Sequence, residues 1–158
     1  MAQSKKNIIE LSNISAGILI KELIRKNKRV KLKARGESMF PAIRDGDVIT
    51  IAPPDPSKQE TGDIVVCMDE TSERILIHRI ISKSQETITT KGDFCLKSDG
   101  ARPKSSIIGY VCHIKNDSSV LIFSKNSICK KTVAFLSRTN ILALTVKIIK
   151  KYVASKMS

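Results

Sequence analysis

The chain has 158 residues, 41% of them hydrophobic, 4% aromatic and none tryptophan. That length suits one domain whose core rests on Ile, Val and Leu. The net charge of +13 is divided as +8 over residues 1–36, −3 over 37–124 and +8 over 125–158. Positive charge confined to two flanks speaks against nucleic acid as the main partner, and no stretch reaches the roughly 18 apolar residues of a membrane span.

The N-terminus, MAQSKKN, is polar and shows no apolar run with a small-residue cleavage site, so a cytoplasmic, reducing location is expected. Residues 8–28 read as a helix. Asn13 or Ser15 would cap it, and Ala16, Leu19, Ile20, Leu23 and Ile24 recur at helical spacing. From Arg29 the period changes to two: RVKLKAR alternates Val30, Leu32 and Ala34 with basic residues, the pattern of a half-buried strand. DVITIAP, GDIVVCM, RILIHRII, ETITTKG, IIGYVCHI and SVLIF follow as six more strands. PPDPSKQETG, DETSE and KSDGARPKSS connect them as loops. Short strands separated by Gly, Pro and Asp turns predict a mainly β core that bends or partly closes, with helices at both ends.

After a polar, basic stretch over 125–131, residues 139–154 return to helical spacing. Leu142, Val146, Ile149 and Val153 share a face, with Lys147, Lys150 and Lys151 elsewhere. The organisation is therefore an N-terminal helix (1–28), a β domain (29–124) and a basic helical segment (125–158) on or beside that domain. Two uses of the flanks stand open. They cover edges of the β core, or their apolar stripes bordered by Lys rest on an anionic membrane surface, at the inner face of the membrane. The four cysteines (67, 95, 112 and 129) form no CxxC pair, so neither a metal nor a cofactor is expected.

Three places carry chemistry: Ser38 in GESMFPAIRDGD, His78 in LIHRI, and Asp93 with Asp99 in TKGDFCLKSDG. A serine hydroxyl attacks a carbonyl only when a base takes its proton, and a neutral imidazole suits that task near pH 7. A carboxylate behind the imidazole fixes its tautomer and stabilises the imidazolium. Gly36 would let the backbone approach a substrate, and Pro41 would stiffen the turn. Met39 and Phe40 would anchor it in the core or line a substrate cleft. Each residue also has a plain structural reading, as a turn serine, a packed strand histidine or an Asp that forms a turn after Gly.

GESMFPAIRDGDVITI, TGDIVV, LIHRII, TTKGDFCLKSDG and IIGYV, in this order, resemble the type I signal peptidase superfamily over roughly residues 30–112. The resemblance implies a serine endopeptidase on a strongly bent β fold shared with self-cleaving repressors of the SOS type. Bacterial-type signal peptidases and the repressors use a lysine base. The endoplasmic-reticulum and archaeal branch uses a histidine in an HR context, which His78–Arg79 matches. Carried over, Ser38 is the nucleophile, His78 the general base and Asp99 the third member, with Asp93 as the alternative. The superfamily often has a hydroxyl two residues before the nucleophile. Gly36 stands there, which leaves the oxyanion to backbone N–H groups of Ser38 and its neighbours, with Gly36 named beside Ser38 as a donor. No segment resembles the membrane anchor of signal peptidases. The implied partner is a peptide or protein with a small side chain next to the cut. A rival reading is a non-catalytic or self-cleaving module of the same fold, with Ala16–Gly17 as the bond within its own reach.

Overall fold

The computed structural model describes residues 8–10, 14–68, 75–116, 119–122 and 127–156. The seven expected strands are present. They are β2 (Val30–Lys33), β3 (Val48–Ala52), β4 (Ile64–Met68), β5 (Ile75–Lys83), β6 (Thr87–Lys91), β8 (Ile107–Asn116) and β9 (Ser119–Ile122). β2 alternates between buried and more exposed positions as its sequence requires. Two short strands were not expected. β1 (Ile8–Glu10) runs parallel to β2, and β7 (Ala101–Pro103) lies within the loop KSDGARPKSS. The predicted DETSE turn lies outside the described residues.

Among the described residues the nine strands form one sheet in the order β1-β2-β3-β8-β4-β5-β6-β7, with β9 on β8. β1 and β7 end that order unpaired with each other, so the sheet is open, and the mainly β expectation holds without closure. Register shifts at Thr50/Ile51, Val66/Cys67 and Ile80/Ser82 are the irregularities by which a sheet bends and twists. β4 is buried on both faces. Ile64 and Val66 join a large cluster with Ile20, Leu32, Ile51 and Ile114, while Val65 packs with Cys67, Ile80, Ile88 and Ile107.

The N-terminal helix is shorter than its apolar spacing predicts. α1 spans Ile14–Arg25, because the β-branched pair Ile8-Ile9 takes the open edge of β2 instead of a helical turn. Ile20 and Ile24, one turn apart, are buried in the large cluster. The helix closes with Asn27 at φ 56°, and the N–H groups of Asn27 and Lys28 donate to the carbonyls of Ile24 and Leu23, a left-handed C-terminal cap.

Two helices, rather than the one expected, follow the sheet: α2 (Ser127–Arg138) and α3 (Ile141–Lys156), with Asn140 at φ 62° between them. α2 packs on β5 and on α3. The apolar face expected on α3 divides, with Val146 turned inward beside Ala143 and Ile149 outward. The side chains of Leu142 and Val153 lie outside the described residues. The hairpin is fastened by Lys91, at the end of β6, whose buried ammonium donates to the Ser137 carbonyl and to Asn140 Oδ1.

Candidate active site

Ser38 sits in the loop from β2 to β3, and that loop is closed by its own polar residues. The Ala34 and Asp47 main chains pair (2.7 Å), Gly36 N–H donates to Asp45 Oδ1 (2.8 Å), and Arg44 N–H donates to Asp47 Oδ2 (2.8 Å). Gly36 and Gly46 have φ of +84° and +88°, which L side chains rarely adopt. Met39 and Ile43 are buried in the large cluster, so Met39 anchors the turn and does not line a cleft. Phe40 is half-buried, edge-on to Phe94 at 6.3 Å between ring centres. Ser38 itself is exposed. The apolar anchors thus hold a polar turn rigid with its hydroxyl outside.

His78 comes from the middle of β5, opposite Val65 of β4, and is buried. Its Nδ1 lies 2.7 Å from Asp99 Oδ2, which also accepts the Thr90 hydroxyl at 2.7 Å. With the carboxylate as acceptor, Nδ1 carries the proton and Nε2 has a lone pair to offer. Burial works to raise the Asp99 pKa. The hydrogen bonds from His78 and Thr90, with the charges of His78 and Arg102, outweigh it and hold the carboxyl below its ordinary value.

Gly92 explains how the two halves meet. A methyl group on its Cα would sit 2.6 Å from the Ser38 carbonyl oxygen, 2.7 Å from Cys95 Sγ and 3.0 Å from His78 Nε2. The Ser38 turn and the Nε2 edge of the imidazole therefore converge on one point, which only a glycine leaves open. The Phe94 N–H donates to the same Ser38 carbonyl at 2.8 Å and ties the serine turn to the loop after β6. The Ser38 hydroxyl makes no hydrogen bond to the ring, and among the described residues no acceptor takes the N–H of Ser38 or Met39.

Asp93 is placed differently. Both of its oxygens accept from Arg79, at 2.8 and 2.7 Å, and Arg79 Nη1 donates to the Gly62 carbonyl at 2.8 Å. Asp93 and Arg79 are buried, and neighbouring strand residues point to opposite faces. The His-Arg dipeptide thus sends its imidazole toward Asp99 and its guanidinium toward Asp93, so Asp93 is bonded to Arg79 and not to His78. Gly36, named as an oxyanion donor, has already committed its N–H to Asp45.

Thr90, Gly92, Phe94 and Cys95 were not singled out from sequence. Only the Gly in TKGD carried a signal, as a residue that permits close approach. The Cys95 thiol is pushed up in pKa by burial. Among the described residues no group of His, Cys, Asp and Glu could hold a metal ion.

An open, bent β sheet that carries a serine turn against a histidine–carboxylate pair defines a peptidase-like fold. A family model described as Peptidase S24-like matches residues 5–98, more than half of the chain, so the chain belongs to the peptidase S24-like family. The match includes Ser38 and His78 and stops one residue short of Asp99. No curated protein gives a significant match.

Proposed function

We propose that the protein is a serine endopeptidase of the histidine-using, endoplasmic-reticulum/archaeal-like kind, working by acyl transfer through Ser38. The observation that carries this reading is the 2.7 Å bond between His78 Nδ1 and Asp99 Oδ2, with Nε2 and the Ser38 carbonyl both beside Gly92. His78 Nε2 takes the Ser38 proton as Oγ attacks the scissile carbonyl, then returns it to the leaving amine. Water repeats the cycle on the acyl-enzyme. Asp99 stabilises the imidazolium. The N–H groups of Ser38 and Met39 are the donors available to the oxyanion, each worth about 3 kcal/mol of barrier. Ser38 and His78 are not hydrogen-bonded here, and the reading requires that bond to form when substrate is present, as catalytic bonds that are long in a free site often do. Lys91, the titratable lysine nearest in sequence to Asp93, is no rival base, because its ammonium is spent on the α2–α3 turn.

The reading is tested with a mixture of extended peptides bearing small side chains, analysed by mass spectrometry. The expected result is cleavage by the wild type and none by folded Ser38→Ala or His78→Ala. Cleavage retained by either variant overturns it.

The second reading, a self-cleaving regulator, has against it the state of its scissile bond. Ala16–Gly17 lies in the first turns of α1, and Gly17 is buried, whereas a peptidase cleft takes an extended chain. Long incubation of the purified protein should leave its intact mass unchanged. A fragment pair ending at Ala16 would favour the regulator.

A further inference from the structure

α3 carries two apolar faces. One, with Ala143 and Val146, is buried in the fold. On the opposite side Ile141, Leu144, Ile148, Ile149 and Tyr152 stand between 46% and 67% exposed, and Phe135 of α2 is 62% exposed. At 3.6 residues per turn, 141, 144, 148 and 152 form one stripe along the outer face. Packing within the fold does not account for it, since the inward face already does that. The charge around the stripe has one sign. Lys131, Arg138, Lys147 and Lys151 are exposed, and from residue 118 to the end of the sequence there is no acidic residue. A second copy of the chain would bring like charges together at this surface. Nucleic acid would meet the charge but leave the apolar side chains in water. An anionic bilayer satisfies both, with lipid chains for the stripe and phosphate for the lysines.

We propose that the outer face of the α2–α3 hairpin is a docking surface for an anionic membrane. Among the described residues no single helix is long and apolar enough to cross a bilayer, and the segments Lys131–Arg138 and Ala143–Ile149 are bent 77° from one another. On this proposal the hairpin lies in the interface. It falls outside residues 5–98, the part that the family model matches. Lys147 Nζ stands 5.7 Å from the centre of the Phe94 ring, and the Phe94 N–H holds the Ser38 carbonyl. Docking sets the serine turn close to the lipid surface. On the peptidase reading, the substrate is then a chain that emerges from the membrane.

The test is co-sedimentation of the full chain with vesicles of phosphatidylglycerol mixed with phosphatidylcholine, and with vesicles of phosphatidylcholine alone. The expected result is pelleting with the first and little with the second. The Ile148→Glu/Tyr152→Glu double variant should bind at least about tenfold more weakly, and Lys151→Glu should bind more weakly and with less dependence on salt. Ser38→Ala should pellet like the wild type, so that a failure here is separate from a failure of the peptidase reading. Absence of pelleting, equal binding to both vesicle types, or a dimer in light scattering that the double variant dissolves would each overturn the proposal.

Discussion

Gly92 shows how much one missing side chain decides. Its Cα faces the Ser38 carbonyl, the Cys95 sulfur and the imidazole edge at once, and packed interiors yield little to an added methyl group. Gly92→Ala should cost about 1–3 kcal/mol of stability, read from denaturant midpoints. It should also lose peptide cleavage even at temperatures where the variant is folded. Asp99 acts through the ring it holds. Asp99→Asn would leave the shape intact but present the wrong imidazole tautomer, with a fall in turnover on the order of 10⁴-fold. Its carboxyl is depressed in the folded state, so the stability it contributes is present above the unfolded pKa of about 3.9 and is lost as pH falls through the folded value. The stability gap between wild type and Asp99→Asn, followed by urea titration, should thus be constant near neutrality and shrink below about pH 4.

Elements place these residues through two buried polar contacts. Arg79 spans from β5 to the loop after β6 through Asp93 and to the Gly62 turn. Breaking a buried pair from one side leaves a bare charge, so Asp93→Asn should cost about 3–5 kcal/mol while leaving the His78–Asp99 bond in place. Lys91 does the same work for the helices. Burial lowers its pKa, and its ammonium donates to the Ser137 carbonyl near the end of α2 and to Asn140 Oδ1 just beyond it. Lys91→Met should leave Asn140 Oδ1 without this donor and the Ser137 carbonyl with the Asn140 N–H alone, at a cost of about 1–3 kcal/mol. It should raise amide exchange across residues 127–156 more than in the sheet.

Period-two alternation made β2 legible in the sequence, whereas the six other expected strands were read as short runs bounded by Gly, Pro and Asp turns, since strands such as β4 are buried on both faces and show no period. β1 and β7 escaped both signals. Each is three residues long, too short to show a period, and each exists only because an open sheet edge pairs it. The division of α3 between core and solvent was also hidden, because both of its faces are apolar. Of the candidate site, Ser38, His78 and Asp99 were readable as residue types within motifs. The opposite fates of Asp93 and Asp99 were not, since they depend on which face of β5 each meets.

The molecule as a whole joins segments 40 and 21 residues apart in sequence, Ser38 to His78 and His78 to Asp99. The sheet brings them to one edge of a loop cluster, and a positively charged hairpin lies beside it. The measurement that bears most directly on this arrangement is the rate at which a fluorophosphonate labels the protein, with the adduct located by peptide mapping. The account predicts a single adduct on Ser38, formed at least about 100-fold more slowly in His78→Ala and absent from Ser38→Ala. An unlabelled wild type, or labelling of Ser38 at the same rate without His78, would contradict it.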